Sequence, residues 1–344
     1  MIKVKKYGTV LSPTSRAFEE RAVLNPGVLQ EGRQVHLVYR AISKDFMSSL
    51  GYARLDGFRN VKERLGAPLM QGKAKYESHG MEDPRITKID DTIYLTYVAH
   101  DGKNAQIAYA YGPDLFNLKR GGLIGPQIRY SMAGRLFNKK ELKDDYLFFE
   151  AYYRNYSGED VLIWEKDGVL FPEKIRGKFV LTHRILPDMQ IVYFKDFAEL
   201  KRNSFWKDYI SNMHKFVILE NKYRFEERHI GGGAPPIRTK NGWLVIYHGV
   251  EESNAGRTYH AGVALFDIKN PRQLISRLPY PLFSPEKDFE LKGEVDDVVF
   301  PTGTAQFGKN LYIYYGAADS DIAVASVNLD DLLDELRRYK TNRK

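Results

Sequence analysis

Trp243-Leu244-Val245-Ile246-Tyr247-His248, followed at a short distance by His260-Ala261-Gly262-Val263-Ala264-Leu265, decides the fold. Both runs are rich in β-branched and aromatic residues and read as short strands. A Pro-containing turn precedes them at Gly233-Ala234-Pro235-Pro236. The same unit occurs four more times. Asn25-Pro26-Gly27 leads into His36-Leu37-Val38-Tyr39-Arg40 and then Leu50-Gly51-Tyr52-Ala53-Arg54. Glu82-Asp83-Pro84-Arg85 leads into Ile93–Val98 and Ala105–Ala110. Phe171-Pro172-Glu173-Lys174 leads into Lys178–Arg184 and Gln190–Phe194, and Phe300-Pro301-Thr302-Gly303 into Leu311–Gly316 and Ile322–Ser326. Units of roughly 60 to 85 residues, each with about four short strands, fit the blades of a propeller. One blade cannot bury both its faces, whereas a ring of blades can. The expected fold is all-β, a five-bladed β-propeller; the alternative is a β-sandwich whose runs resemble one another by chance.

The remainder of the chain qualifies this picture. Asn328 is placed to cap a helix over 328–339, with acidic residues in its first turn, basic ones in its last, and Leu329, Leu332, Leu333 and Leu336 on one stripe. Residues 112–165 form a longer spacer rich in Tyr, Phe, Asn and Gly, expected to be an extended connection or lid, or else a surface hairpin. Residues 1–344 are expected to form a single catalytic domain.

There is no cysteine among the 344 residues, which excludes disulfides and thiolate metal sites and suits a reducing compartment. No secretory signal and no run long enough to span a membrane are found, so a cytoplasmic protein without membrane contact is expected. The net charge of +8 comes from 52 basic and 44 acidic residues. The bases are scattered apart from Arg337, Arg338, Lys340, Arg343 and Lys344, which argues for a solvated surface rather than a nucleic-acid face.

In a propeller, loops at one end of the blades converge on a central funnel. The repeat sends Asn25 and Asp83 there from the Pro-turns, and Arg40, His100 or Asp101, Arg184, His248 and Asp319 from the polar ends of the strong strands. Few carboxylates and several cations describe a site for an anionic reactant, and inorganic phosphate matches Arg, Lys and His donors. The competing explanation is surface pairing of Arg184 and Lys166 with Asp167, Glu173 or Asp188.

Gly80-Met81-Glu82-Asp83-Pro84-Arg85, Leu170–Ile175, Gly242–Gly249, Phe300-Pro301-Thr302-Gly303 and Tyr314–Asp319 together resemble glycoside hydrolase family 130, β-mannoside phosphorylases and some β-mannosidases. The resemblance runs from about Asn25 to the C-terminal helix. It implies a five-bladed propeller with Asp83 as general acid, acting through a sugar hydroxyl while phosphate attacks C1 from the opposite face. It implies a mannose held by Asn25, Arg40 and Asp319, and phosphate held by Lys166, Arg184, His248 and Tyr259. The implied partners are a β-mannoside oligosaccharide and phosphate as co-substrate, with no cofactor, no metal and homo-oligomers common. Asp83 is expected to be kept protonated by partial burial.

One departure stands out. The family's Ser-Arg-hydrophobic-Gly sequence reads Ser48-Ser49-Leu50-Gly51 here, so Ser49 replaces an Arg that would bind phosphate. Two alternatives to phosphorolysis stay open: an inverting β-mannosidase using water, with Glu226 or Glu227 as base, and a non-catalytic sugar-binding propeller.

Overall fold

Each repeated unit folds into an antiparallel sheet of four main strands. The computed structural model describes residues 2–137 and 141–341; Arg343 and Lys344 of the basic cluster lie outside them. Blade 1 comprises Ala22–Glu31, Gln34–Ile42, Ser48–Asp56 and Asn60–Arg64. Blade 2 comprises Gly80–Ile89, Thr92–His100, Ala105–Gly112 and Lys119–Leu123. Blade 3 runs from Lys166–Leu170 through Phe179–Arg184 and Met189–Phe194 to Val217–Leu219. Blade 4 has His229–Gly232, Gly242–Ser253, Gly256–Phe266 and Leu274–Arg277, with Ile237–Thr239 as a small addition. Blade 5 takes Val299–Phe307, Asn310–Ala317 and Asp321–Asn328 from the end of the chain and its outer strand, Lys5–Leu11, from the beginning. This pairing closes the ring, and the five-bladed propeller is the fold.

The core is divided among the seams between blades. Val38, Leu50 and Tyr52 meet Ile86, Leu95 and Ala108 between blades 1 and 2. Phe171, Val180 and Ile191 meet Trp243, Val245 and Ala264 between blades 3 and 4. At the seam of blades 4 and 5, Leu332, Leu333 and Leu336 of the terminal helix Leu329–Arg338 join Leu244, Ile246 and Ile313. The Asn328 side chain accepts from the Asp330 and Asp331 N–H groups, the expected cap. Arg337 and Arg338 pair with Asp334 and Glu335 on their own helix, as a solvated surface requires.

Two expectations are corrected in detail. The turns Phe171-Pro172 and Gly233-Ala234-Pro235-Pro236 do not open their blades; they follow the innermost strands Lys166–Leu170 and His229–Gly232. Blade 3 bends its inner strand at Asp167-Gly168, where the register shifts between Lys166 and Val169. Blades 1 and 2 bend at Asn25-Pro26 and Asp83-Pro84. Glycine therefore does in blade 3 what proline does in blades 1 and 2, and a search for proline misses it. The 112–165 segment is not a hairpin. It supplies the outer strand of blade 2 and then two helices, Tyr130–Leu136 and Asp145–Ser157. Phe197–Leu200 and Asn203–Ser211 are further helices that the sequence reading missed. No helix among the described residues is long and apolar enough to cross a membrane.

Candidate active site

The bends of the inner strands explain why side chains reach the axis. Asn25, Asp83 and Asp167 sit at φ of 49°, 48° and 56°, and Asp319 at 49° after the second strand of blade 5. Asn and Asp tolerate this left-handed conformation better than most residues. Two glycines make room. A Cβ at Gly316 would collide with Asn25 Oδ1, and one at Gly231 with Asp167 Oδ2. Arg85, fully buried, ties the ring together beneath: its Nε donates to Gly233 O at 2.6 Å, its Nη1 to Asp83 O at 2.9 Å, and its Nη2 lies 3.8 Å from Asp167.

Above Arg85 opens a cavity of about 290 Å³. Asn25, Arg40, Asp83, Lys166, Arg184, Tyr259 and Asp319 all line it. His248 does not. It is fully buried, and its Nε2 accepts from Arg184 Nη1 at 3.2 Å, so it supports that guanidinium from behind. Burial, with Arg184 and Arg85 nearby, holds His248 well below the usual imidazole pKa, so it is neutral and not a cation. Among the sugar and phosphate ligands expected from the resemblance, it alone is off the wall. His100 and Asp101 are also off it.

Asn25 Nδ2 donates to Asp83 Oδ1 at 2.8 Å, and Arg40 Nη1 lies 3.8 Å from the same oxygen. Among the described residues no donor reaches Asp83 Oδ2. Arg40 Nη2 and Lys166 Nζ hold Glu82 from two sides at 2.9 and 3.1 Å. Burial would raise the Glu82 carboxyl, but these two cations outweigh it and hold the group down to about 2. Asp319 goes the other way. Burial, aided by Asp83 and opposed by Arg40 and Lys166, pushes it up to about 6. Arg184 Nε contacts Asp167 Oδ2 at 3.0 Å, which commits that carboxylate to the wall.

The cavity holds residues outside the repeat that sequence reasoning did not find. Arg228, Arg257 and His229 line it from blade 4, and Tyr152, Tyr153, Tyr156 and Trp164 from the helical connection. The wall thus carries five Arg or Lys side chains and three carboxylates. Glu82, held by Arg40 and Lys166, and Glu252, paired with Arg228 and Arg257, balance the remaining charge, so what the wall offers an anion is a set of N–H donors. Ser49 is not on this wall, and neighbouring Ser48 Oγ accepts from Arg40 Nε at 3.0 Å. Among the described residues no cluster of His, Asp or Glu is arranged to hold a metal ion.

A second set of carboxylates is repeated around the ring and faces away from the cavity. Glu19, Glu77, Glu165, Glu226 and Glu290 are all buried. Each meets the central strand of its own blade. Tyr39, Tyr97, Tyr247 and Tyr315 donate to Glu19, Glu77, Glu226 and Glu290, and His183 Nδ1 lies 2.7 Å from Glu165. In four blades an outer-strand cation completes the set: Arg64, Arg120, Arg277 and Lys6. Glu226 also accepts from the Lys222 and Tyr223 N–H groups. It is a structural carboxylate, not a base waiting for water. Glu227 is exposed and takes the Glu252 N–H at 3.2 Å, and neither residue is on the cavity wall.

A family model described as beta-1,4-mannooligosaccharide phosphorylase, glycoside hydrolase family 130, matches residues 7–338. The chain belongs to that family. A beta-1,2-mannobiose phosphorylase of Thermoanaerobacter sp. (strain X514) is 33% identical, with 92% of this chain and 94% of the relative aligned. A 1,2-beta-oligomannan phosphorylase of the same strain is 31% identical over 96% of this chain and 99% of its own. Among solved structures, beta-1,2-mannobiose phosphorylase from Listeria innocua, in complex with beta-1,2-mannobiose, superposes with a TM-score of 0.73 at 22% identity, covering 98% of this chain and 100% of that one. This member of family 130 is an enzyme, a glycoside phosphorylase.

Proposed function

We propose that the chain cleaves a terminal β-mannosidic bond with inorganic phosphate and releases mannose 1-phosphate with inversion. A phosphate oxygen forms the new bond to C1 as the bond from C1 to the glycosidic oxygen breaks, and a proton reaches that oxygen from Asp83 through a sugar hydroxyl. Asn25, Arg40 and Asp319 hold the mannose. Lys166 and Arg184, with Tyr259, hold phosphate in line with C1 and offset its charge. His248 positions Arg184.

One observation carries this reading: Asp83 presents an oxygen that meets no donor among the described residues to the same cavity that gathers the N–H groups of five Arg and Lys side chains. A water-using enzyme needs a carboxylate base where these N–H donors stand, and both carboxylates considered for the task lie elsewhere. Both relatives that align over more than nine-tenths of the chain are named for β-1,2 linkages, and a β-1,2-manno-oligosaccharide is the substrate we assign. The same reading treats the five blades and the helical connection as one catalytic domain, working in the cytoplasm on imported oligosaccharides. Incubation with β-1,2-mannobiose with and without phosphate tests it. Mannose 1-phosphate should form only with phosphate present, and cleavage indifferent to phosphate would contradict the reading.

A further inference from the structure

The helix Asp145–Ser157 buries one face and leaves the other aromatic. Tyr146 and Phe149 pack inward. Tyr153 stacks on Tyr130 at 5.3 Å and meets Trp164 at 4.7 Å. Those contacts suffice to fix the helix. Phe148, Tyr152 and Tyr156 nonetheless remain 57%, 37% and 72% exposed. Large aromatic groups left in water at one place mark a binding surface more often than a folding need.

Their spacing is regular. Residues four apart on a helix share a face and are offset by about 6 Å along it. The ring centroids follow, 6.5 Å from Phe148 to Tyr152 and 6.1 Å from Tyr152 to Tyr156, with interplanar angles of 27° and 3°. The result is a row of nearly parallel rings. Tyr152 and Tyr156 also line the cavity, so the row begins at its mouth. Arg228 lies 6.0 Å from the Tyr152 ring centre, and Arg257 stands close by, paired with Glu252. Both cations are also on the cavity wall.

The cavity itself is small. At about 290 Å³ it falls at the lower edge of the range of about 300–1,000 Å³ usual for small-molecule sites. A sugar chain that places one end beside Asp83 must run out over the rim. A pyranose presents a face of C–H groups that packs on the electron-rich face of an aromatic ring, and its hydroxyls would meet the flanking Arg228 and Arg257.

We propose that Phe148, Tyr152 and Tyr156 form a platform for the sugar rings of an oligosaccharide beyond the cavity, so that the enzyme favours chains longer than a disaccharide. This rests on the reading of the cavity as a β-mannoside site. The platform is specific to this helix and not to the repeated blades.

The test reads binding separately from turnover. In an Asp83→Asn background, calorimetry compares β-1,2-mannobiose with the corresponding tetraose. The tetraose should bind about tenfold more tightly. Phe148→Ala together with Tyr156→Ala should erase that advantage, and Phe148→Ala alone should leave mannobiose binding unchanged. Tyr156→Phe should keep the advantage. Equal affinities for the two sugars in the parent, or an advantage that survives the double substitution, would overturn the platform. So would light scattering that shows a dimer dissociated by Phe148→Ala, since the face would then belong to a second copy. If the wild type binds the series in this way but fails to release mannose 1-phosphate, the functional reading fails and the platform stands.

Discussion

The cavity and the belt of buried glutamates are built from the same kinds of residue, yet they do opposite things. Both are repeated by blade, and both combine carboxylates, cations and tyrosines. In four of the five blades the belt glutamate is closed off, while Glu165 of blade 3 has only His183 Nδ1 beside it. Glu226 meets Tyr247, Arg277 and two backbone N–H groups, which leaves nothing for a ligand. At the axis the accounts stay open. Asp83 has one oxygen without a donor among the described residues, and Asp319 is pushed toward its neutral form. Residue type and burial therefore do not separate structure from chemistry here; in four of the five blades completeness of the hydrogen-bonding partners does.

The sharpest way to break that contrast is Asp83→Asn. Loss of a positioned acid should lower phosphorolysis by about 10²–10⁴-fold while thermal unfolding stays where it was. Release of mannose 1-phosphate and a melting curve check both halves, and full activity would remove Asp83 from its role. Glu226→Gln should do the reverse. Stranding buried Arg277 should cost about 3–5 kcal/mol of stability, seen as a lower urea midpoint, with kcat per folded molecule within about twofold of wild type. A loss of kcat at full stability would make Glu226 chemical after all.

Asp319 gives a smaller effect whose sign is fixed by its environment. Its folded pKa of about 6 lies above the ordinary 3.8. Between those values the folded protein holds a proton that the unfolded chain releases, so this group's contribution falls as pH rises through the window. Asp319→Asn should flatten stability between about pH 4 and 6, by about 2 kcal/mol in all. Glu82 acts in the opposite direction: its stabilisation is present above about 4.5 and is lost as pH falls toward 2. Urea midpoints across pH for wild type and variant separate the two. The smallest effect belongs to Glu227→Gln, exposed and off the wall. It should change neither stability, by more than about 0.5 kcal/mol, nor phosphorolysis. A lost rate there would revive water as nucleophile.

The blades were legible because their second and third strands, such as Trp243–His248 and His260–Leu265, carry their own signal in sequence. The inner strands were less so. Asp167-Gly168 replaces an Xaa-Pro bend, and only the register shift reveals the equivalence. The belt was hidden because its partners are distant: 20 residues separate Glu19 from Tyr39 and 20 separate Glu77 from Tyr97, while 25 lie between Glu290 and Tyr315. A glutamate standing some 20 residues before each strand tyrosine was nevertheless there to be found. Arg228, Arg257 and the tyrosines of the helix had no such signal. They lie outside the runs that carry the repeat's signal and reach the cavity only through tertiary structure, and the same is true of the burial that takes His248 off the wall.

The seam between Lys5–Leu11 and Asp321–Asn328 imposes an order on the birth of the molecule. Of the propeller's strands, the one made first must wait, unpaired, for the one made last, at a synthesis rate of roughly 5–20 residues per second. Lys6 waits with it for Glu290, the carboxylate it pairs with in the finished blade. The ring that gives Asp83 its surroundings is completed only when these two strands meet.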